Sequence, residues 1–486
     1  MLAIRTNSAL NYLCGLGELN MFIGRDDELS ILSELYQKKR ANLVVIYGRR
    51  RVGKSTLIEQ FMKNRPGLQF EGLEKVKKAE QIKQFTHDLS LQLNDPVLAS
   101  ANFSEWLSVF DYLTRYFKQQ KKKTILFLDE FQWLANNQSA LVSIVKKYWD
   151  KHWSKQKVML ILCGSISSYM VRSVVQSKAL YGRINWELCL ETMSPPEAWA
   201  LLKEKRSQDE IFQYLLSLGG VPKYLNEIET NRSLEQNLNR LCFTKNGYLV
   251  SEYQKIFYSQ FKAYKTYEAI IAYLNDAPRS LGDVAKKLNM ASGGGLKLYL
   301  DNLKKAQMIT EYVPFGKLSD QTNLKKYKLT DDYIRFYFKF IRPNLKIIAQ
   351  NRHKDLFSKI VKPKWDAYLG FSFEAYCLKN AIRVADIMGF GDKVEDFGPL
   401  FKKGDSQFQI DLLYIRRDRV ITLCEIKYHS KPISVGVVKS VERKCKLLDV
   451  PSGYTLERAL ITRFGADESL QELGYFDYVI SALDFF

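Results

Sequence analysis

The feature that most constrains the fold is an apolar run followed directly by a glycine-rich turn. Residues 42-NLVVIY-47 form a near-continuous apolar stretch, as expected for a strand buried on both faces. Residues 48-GRRRVGKS-55 come next and match the pattern G-x-x-x-x-G-K-[ST] in full. A helical pattern begins near Lys54, so strand, turn and helix occur in the order that this pattern requires. The chain is therefore predicted to contain an α/β domain with a parallel sheet.

This turn, which we call the phosphate loop (residues 48–55), carries residue types suited to binding ATP with Mg²⁺. Gly48 and Gly53 let the backbone turn tightly and present N–H groups to phosphate oxygens. Lys54 is predicted to reach the β- and γ-phosphates, and the Ser55 hydroxyl to ligate Mg²⁺. The three arginines have two alternative roles, contact with the nucleotide or pairing with neighbouring carboxylates. The predicted contacts with the nucleotide are Gly48, Arg49, Arg50, Arg51, Val52, Gly53, Lys54, Ser55 and Thr56.

A second apolar strand ends in two acidic residues. Residues 125-ILFLDEFQWL-134 place Asp129 and Glu130 at the carboxyl end of a parallel strand, where ligands bind in open α/β sheets. Asp129 is predicted to hold Mg²⁺ through water, and Glu130 to act as the catalytic base that activates the attacking water.

Two further polar residues are candidates for contact with the γ-phosphate. The strand 158-VMLILCGS-165 ends in Ser165, which either senses the γ-phosphate or caps the next helix. Arg183 is either a charge-stabilising arginine, acting within the chain or in a neighbouring subunit, or a solvated side chain.

The charge of the chain is concentrated in its middle. The net charge is +20, and residues 261–360 carry ten more basic than acidic side chains, whereas residues 361–486 are balanced. An acidic partner, most simply DNA, suits this excess; a solvated lysine-rich surface is the alternative. Three helices (265–277, 281–290 and 296–307) followed by two strands (308–316 and 325–331) predict a winged helix-turn-helix in this region. Its lysines suited to phosphate contacts are Lys297, Lys304, Lys305, Lys317, Lys325, Lys326 and Lys328. They predict weak, salt-sensitive DNA binding; the alternative is that the winged helix packs against the predicted nucleotide-binding domain and transmits its state.

Composition and cysteine usage exclude several classes of protein. With 46% hydrophobic and 26% charged residues the chain is not mainly disordered, and its apolar runs are too short to span a membrane. The seven cysteines are scattered without a Cys-x-x-Cys pair, so we expect a reducing, cytoplasmic environment. Met21 directly precedes the first recognisable element and is an alternative start to Met1.

A second group of candidate residues lies near the C-terminus. Asp411 is in the apolar strand 408–415, and Glu425 and Lys427 share one face of the next strand, 419–429. Two carboxylates on one face suit Mg²⁺, and an adjacent lysine can orient or deprotonate water for attack on phosphate. This Asp…Glu-x-Lys arrangement is the one found in restriction-endonuclease-like nucleases. The two alternatives to an active nuclease site are an ion pair between Glu425 and Lys427 on an exposed sheet face, and a degenerate nuclease domain that only binds DNA.

Several motifs together resemble the archaeal-type DEXX-box ATPases, a STAND branch of the AAA+-like P-loop NTPases. In that family, segments equivalent to Phe22, Gly24 and Arg25 lie near the adenine, and Gly220-Val221-Pro222 contacts the base or sugar from a helical lid. The resemblance also implies a winged helix and a C-terminal restriction-endonuclease-like domain, in which Glu374 completes the site. The motifs are 22-FIGRDDEL-29, 48-GRRRVGKST-56, 127-FLDEFQWL-134, 162-LCGSISSYM-170, 181-YGRI-184, 219-GGVPKYL-225 and 331-DDYIRFYFKFIRPN-344.

The resemblance implies an order of domains and a mode of action. Members are switches in which ADP holds a closed state and ATP an open, often oligomeric one. Three functions compete: an ATP-regulated DNA nuclease, a signalling switch whose C-terminal domain binds a partner, and a DNA-binding ATPase without cleavage. The expected parts are an N-terminal tail (1–20), an ATPase core (21–190), a helical lid (191–260), a winged helix (261–345) and a restriction-endonuclease-like domain (346–486).

Glu130→Gln tests the predicted catalytic base. We expect the variant to bind ATP but to hydrolyse it about 100-fold or more slowly, because glutamine cannot accept the proton of the attacking water. Phosphate release and ATP affinity measure the two effects, and Lys54→Ala, expected to lose nucleotide binding or hydrolysis, is the comparison. Unchanged hydrolysis in Glu130→Gln would mean that another residue is the base.

Overall fold

The computed structural model describes nine stretches of the chain: residues 22–100, 103–138, 140–165, 169–202, 205–260, 264–312, 325–350, 354–402 and 408–486. The predicted N-terminal tail (1–20) and Lys317 lie outside the described residues. Within these stretches, none of the helices is long and apolar enough to cross a membrane.

The first part of the chain forms a five-stranded parallel sheet with helices on both faces. Its strand order is β2-β3-β4-β1-β5, and every residue of β3 and β4 is buried. This confirms the predicted α/β fold with a parallel sheet. The elements are α1 (Asp26–Gln37), β1 (Asn42–Gly48), α2 (Lys54–Met62), β2 (Gly67–Glu71), α3 (Lys78–Leu93), α4 (Pro96–Ser100), α5 (Trp106–Gln119), β3 (Thr124–Asp129), α6 (Phe131–Leu134), α7 (Ala140–Lys151), β4 (Val158–Ser165) and β5 (Trp186–Leu190).

The register of this sheet brings the predicted nucleotide residues to one edge. Gly48, the last residue of β1, is opposite Ser165, the last residue of β4. On the other side of β4, Leu128 is opposite Leu162, so β3 ends with Asp129 at the same edge. Because all five strands are parallel, their carboxyl ends meet there.

Five helices follow the sheet, and we call them the lid helices. Serine side chains cap several of them; Ser207 Oγ, for example, accepts a hydrogen bond from the Glu210 N–H. After α9 the chain turns at Gly219 and Gly220, where a Cβ on Gly220 would lie 2.2 Å from the Met193 carbonyl oxygen. The helices are α8 (Pro195–Leu201), α9 (Gln208–Leu218), α10 (Pro222–Leu225), α11 (Leu234–Cys242) and α12 (Glu252–Gln260).

The middle region contains the three predicted helices, two further short helices and a small antiparallel sheet of order β6-β8-β7. The three helices and the antiparallel pair β7–β8 lie where the sequence predicts them, and the assignment as a winged helix stays a prediction. The elements are α13 (Tyr264–Asp276), β6 (Arg279–Ser280), α14 (Leu281–Leu288), α15 (Gly294–Lys305), β7 (Ile309–Tyr312), β8 (Lys326–Leu329), α16 (Asp332–Phe336) and α17 (Leu345–Gln350).

The last part forms a second five-stranded sheet, of order β13-β12-β11-β10-β9. It is mixed, because β9, β10 and β11 are antiparallel neighbours whereas β11, β12 and β13 are parallel. The elements are α18 (Trp365–Lys379), α19 (Ala381–Ile387), β9 (Val394–Lys402), β10 (Phe408–Arg416), β11 (Val420–Lys427), α20 (Gly436–Leu447), β12 (Thr455–Thr462), α21 (Glu468–Leu473) and β13 (Tyr478–Ser481). Short 3₁₀ or π-helical turns occur at Trp153–Lys155, Met170–Val175, Tyr337–Ile341, Arg342–Asn344, Phe357–Val361, Lys362–Lys364, Gly391–Lys393 and Ala482–Phe485.

The clusters of buried apolar side chains do not follow the boundaries between the sheet and helix regions described above. Two clusters of buried side chains belong to the first sheet and its helices. A third runs from Met193 to Phe485 and joins the lid helices, the middle region and one side of the second sheet. The lid helices, the middle region and that side of the second sheet therefore pack as one block, whereas two smaller clusters belong to the rest of the second sheet and its helices. Burial of apolar surface is the main stabilising term in each.

Candidate nucleotide site and carboxylate cluster

The phosphate loop curls around the ammonium group of Lys54. The Lys54 side chain is 7% exposed, and its Nζ donates hydrogen bonds to the carbonyl oxygens of Gly48 (3.1 Å) and Arg49 (3.0 Å). Arg51 and Gly53 have positive φ values of 70° and 91°, which give the loop its tight curvature. Helix α2 starts at Lys54, so its positive end faces the loop. The loop thus has the cation and the helix dipole needed to bind phosphate.

Ser55 and Asp129 meet at the position predicted for Mg²⁺. The Ser55 hydroxyl donates to Asp129 Oδ2 at 2.5 Å, and Asp129 is 6% exposed at the end of β3. A hydroxyl and a carboxylate are hard oxygen ligands of the kind that Mg²⁺ prefers. A Cβ added at Gly53 would meet no atom within 4 Å, so the loop has open space beside it. These residues fit a magnesium nucleotide.

Glu130 is held at the same edge by two polar side chains. It adopts a φ of 44°, Gln132 Nε2 donates to its Oε2, and Ser165 Oγ lies 3.4 Å from that oxygen. Sequence reasoning missed Gln132, whose only signal is one polar residue in the apolar stretch after the acidic pair. The contact of Ser165 with Glu130 does not decide whether Ser165 senses the γ-phosphate or caps the next helix.

The segment before α1 is tied to the phosphate loop. Arg25 is buried, and its guanidinium donates to the carbonyl oxygens of Glu191 (2.7 Å) and Val52 (3.5 Å). Its backbone N–H donates to Glu197 Oε1 of α8 at 3.0 Å. Gly24, with a φ of 74°, has no room for a Cβ beside Glu197. The segment is therefore positioned next to the loop, as its predicted role near the adenine requires.

The remaining predicted nucleotide residues are more peripheral. Phe22 packs, partly buried, against the core of the first sheet, and Pro222 is the first residue of α10. Val52 is buried beneath the loop, whereas Thr56 is exposed in the first turn of α2.

Two of the three loop arginines pair with carboxylates from distant parts of the chain. Arg49 is buried and forms an ion pair with Asp331, and Arg51 forms one with Glu252. Arg51 also donates to the Tyr248 hydroxyl at 2.7 Å. Of the two predicted roles, the structure therefore shows Arg49 and Arg51 pairing with carboxylates. No spacing in the sequence signals either carboxylate.

The other two candidate arginines have different surroundings. Arg50 lies over the ring of Trp133, 5.3 Å from its centroid. Arg183 forms a two-point ion pair with Asp150 of α7, with distances of 2.6 Å and 2.9 Å. The pair is only partly buried, and the predicted role of Arg183 in catalysis stays a prediction.

The four residues predicted from the second motif gather on one side of the second sheet, and we call them the carboxylate cluster: Glu374, Asp411, Glu425 and Lys427. Glu425 is 1% exposed, and its Oε1 lies 2.8 Å from Lys427 Nζ. Asp411 Oδ2 accepts a hydrogen bond from the Ile426 N–H at 3.3 Å. Burial, together with the nearby Asp411, raises the pKa of Glu374 to about 7. Residues from α18, β10 and β11 thus converge on one point.

Two further lysines join this cluster, and sequence reasoning missed their role. Lys444 of α20 lies 2.5 Å from Glu425 Oε2, so a lysine holds each oxygen of that carboxylate. Lys328 of β8 is also close, and burial lowers its pKa while Glu374 and Asp411 oppose that effect. His429 is exposed, as expected for a surface residue.

The carboxylate cluster does not present a ready metal site. Over the described residues, no three His, Cys, Asp or Glu side chains are grouped so that they can hold a metal ion. Because both oxygens of Glu425 are neutralised by lysines, the donor set does not fit a resident divalent cation. The predicted metal roles of Asp411 and Glu425 stay predictions.

Three of the lysines predicted to contact DNA have acidic partners within the chain, and Lys328, described above with the carboxylate cluster, is one of them. Lys304 and Lys325 both form ion pairs with Glu311 of β7. Lys297 is exposed on α15, whereas Lys305 and Lys326 are half-buried. The free basic surface of the middle region is therefore smaller than the sequence suggests.

The raised pKa of Glu374 predicts a pH-dependent stability. From the ordinary value of 4.5 up to about 7, the unfolded chain ionises this carboxyl before the folded protein does, so stability falls as the pH rises. Glu374→Gln removes this titration, and we expect it to be about 1–2 kcal/mol more stable than the wild type at pH 8 and similar below pH ~4. Denaturant unfolding across this range measures the effect. Glu395→Gln, at an exposed position, is the matched control, and parallel profiles for wild type and Glu374→Gln would contradict the prediction.

Two parts of the chain match models of known protein families. Residues 22–228 match a family described as an "ATPase domain predominantly from Archaea", and residues 337–443 match "Archaea bacterial proteins of unknown function". The chain is 26% identical over 431 residues to the uncharacterized protein MJECL04 of Methanocaldococcus jannaschii, covering 87% of this chain and 90% of that protein. It is 47% identical over 45 residues to the uncharacterized ATP-binding protein MJ0423 of the same organism, covering 9% of this chain and 76% of that protein.

Among solved structures, the Walker-type ATPase PABY2304 of Pyrococcus abyssi aligns with a TM-score of 0.49 and 20% identity, covering 65% of this chain and 96% of that chain. The parallel sheet, the phosphate loop and the family match at 22–228 agree with one another. The chain is an ATP-binding ATPase whose residues 22–228 match the archaeal ATPase domain, and its residues 337–443 are similar to a family of unknown function.

Proposed function

We propose that this ATPase is a nucleotide-dependent switch of the STAND type that acts on DNA through its C-terminal half. The observation that carries the switch proposal is the pairing of two phosphate-loop arginines with buried carboxylates outside the ATPase domain, Arg49 with Asp331 and Arg51 with Glu252. A bound nucleotide offers the same arginines a competing anion. The arginines of the loop therefore have two alternative partners, the carboxylates of Asp331 and Glu252 or the phosphates of a bound nucleotide.

The two carboxylates also hold neighbouring elements, which connects the loop to the rest of the block. Asp331 Oδ1 accepts from the Ile334 N–H at 2.8 Å and so caps α16. Glu252 Oε1 accepts from the Tyr224 hydroxyl at 2.9 Å, two residues after Pro222. Leaving a buried carboxylate unpaired costs about 3–5 kcal/mol. A change of partner at Arg49 or Arg51 is thus expected to shift the elements that Asp331 and Glu252 support.

ATP hydrolysis uses the residues gathered at the edge of the first sheet. Lys54, now bound to two carbonyl oxygens, would turn to the phosphates, and Ser55 with Asp129 would hold Mg²⁺. The ion would neutralise charge on the phosphate oxygens. Glu130, positioned by Gln132 and Ser165, would take the proton from the attacking water.

The basic middle region supports binding to the DNA backbone. Lys286, Lys287 and Lys297 are exposed on α14 and α15, the second and third helices of the proposed winged helix. Lysines at these positions suit phosphates and carry no sequence information. The affinity for duplex DNA is therefore expected to fall steeply with salt concentration.

Two observations bear on whether the C-terminal part cuts DNA. The convergence of Glu374, Asp411, Glu425 and Lys427 supports the restriction-endonuclease-like proposal. The pairing of Glu425 with Lys427 and Lys444 favours the second candidate, a DNA-binding ATPase without cleavage.

Removing the charge of Asp331 tests the switch. Asp331→Asn keeps a helix-capping side chain but leaves Arg49 without its carboxylate, so a phosphate becomes a better partner for that buried guanidinium. We expect the Kd for ATP and ADP to fall about tenfold, equivalent to roughly 1.4 kcal/mol. Calorimetry measures the affinity, with the exposed Asp301→Asn as the matched control. Equal or weaker nucleotide binding in Asp331→Asn would refute the competition.

A cleavage assay decides between the two candidates for the C-terminal part. Plasmid and single-stranded DNA are incubated with Mg²⁺ or Mn²⁺ and with no nucleotide, ADP or ATP. A nuclease is expected to lose cleavage in Asp411→Ala, to keep it in the exposed control Asp449→Ala, and to lose its dependence on nucleotide in Lys54→Ala. If no condition gives cleavage while DNA is still bound, the second candidate is correct. If neither occurs, the proposed action on DNA is wrong.

A further inference from the structure

Two neighbouring aspartates at the start of α16 face different parts of the molecule. Asp331 pairs with Arg49 of the phosphate loop. Asp332 is 7% exposed and lies between Arg335, at 2.5 Å, and Lys379, at 3.8 Å. Both aspartates are therefore buried, and each lies near a cation from another part of the chain, Arg49 for Asp331 and Lys379 for Asp332.

The same aspartate pair adjoins the glycine turn after α9. A Cβ on Gly219 would lie 3.6 Å from Asp332 Oδ2, so the Asp332 carboxylate is in van der Waals reach of the turn that leads to Pro222. A small cavity at this junction is lined by Arg49, Gly219, both aspartates and Lys379, among others. The phosphate loop, the glycine turn and α18 thus meet around the aspartate pair.

Helix α18 extends from this junction to the carboxylate cluster. Lys379 is its last residue, and Glu374 lies five positions earlier, about 7.5 Å along the helix axis. Glu374 faces Asp411, Lys328, Lys427 and Glu425. One helix therefore has its end at the aspartate pair and its middle in the carboxylate cluster.

The lid helices hold α18 on a second side. Phe212 of α9 packs against Phe373 and Tyr376 of α18, with ring centroids 5.8 Å and 5.0 Å apart. Helix α9 ends at the same glycine turn that Asp332 adjoins. These ring contacts keep α18 packed against the helix that leads into the glycine turn, in a core with few voids.

The strand that precedes the aspartate pair also reaches the cluster. Lys328 of β8 lies three residues before Asp331 and interacts with Glu374 and Asp411. Segment 326–335 thus contacts the phosphate loop through Asp331 and interacts electrostatically with the carboxylate cluster through Lys328.

We infer that α18 relays the state of the nucleotide site to Glu374, with Asp332 and Lys379 as positioning residues. Release of Asp331 from Arg49 moves the aspartate pair, alters the contact of Asp332 with Lys379, and shifts Glu374 relative to Lys328. The inference rests on the proposed switch, and it extends that switch to a named connection between the two sites.

Hydrogen–deuterium exchange of the full-length protein tests this connection. Peptides covering 326–335 and 365–379 are followed without nucleotide, with ADP, and with a non-hydrolysable ATP analogue. In the wild type we expect the analogue to change the exchange rate of both segments about twofold or more. In Lys379→Gln we expect the change in 365–379 to be lost, while the change in 326–335 and the ATP affinity are retained.

A second test variant and a control variant complete this experiment. Asp332→Asn is expected to behave like Lys379→Gln, and Lys364→Gln, an exposed lysine just before α18, is expected to behave like the wild type. If Lys379→Gln and Asp332→Asn respond as the wild type does, or if the wild type binds the analogue by calorimetry without any change in 365–379, the relay does not exist.

Failure of the relay is distinguishable from failure of the proposed function. No DNA is present, so absence of DNA binding or cleavage leaves the exchange result unaffected. A wild type whose 326–335 segment does not respond to bound nucleotide overturns the switch proposal itself, and the relay with it.

Discussion

The ion pair between Arg49 and Asp331 joins residues 282 positions apart and connects the ATPase domain to the rest of the chain. Both side chains are largely removed from water, so each depends on the other for its charge to be tolerated. The parallel pair between Arg51 and Glu252 repeats this arrangement on the lid side. The conformation of the phosphate loop is therefore not independent of the elements that follow the sheet.

The elements that follow the first sheet are packed against one another by apolar contacts and by charge. One apolar cluster runs from Met193 to Phe485, so the lid helices, the middle region and one side of the second sheet share a single core. At their contact, Asp209 of α9 also forms a two-point ion pair with Arg463, with both distances 2.6 Å. A block held by aromatic packing and by charge suits the proposed switch, in which it would move as a unit when the loop changes its partners.

The negative charges of the carboxylate cluster are balanced by nearby lysines. Three acidic side chains lie close together, and burial with mutual repulsion raises the pKa values of Glu374 and Asp411. Lys328, Lys427 and Lys444 offset that repulsion from three different elements. A cluster neutralised by lysines is stable without a metal ion, and one of those lysines comes from the strand next to the aspartate pair.

The sequence by itself determined the local architecture of both sites. The strand–loop–helix order at 42–62, the acidic end of β3 and the three helices of the middle region follow from short-range patterns that depend on backbone geometry and burial. The position of Glu425 and Lys427 on one face of their strand follows from the alternation of side chains along strands. Such features need only neighbours a few residues away.

Only the tertiary structure decided which charges meet across the chain. Asp331, Glu252 and Lys444 have no spacing relative to Arg49, Arg51 and Glu425 that marks them as partners. The roles of the loop arginines were left open by the sequence for the same reason. A buried charge takes whichever opposite charge the packing brings within reach, and that packing depends on how all of the helices and sheets fit together.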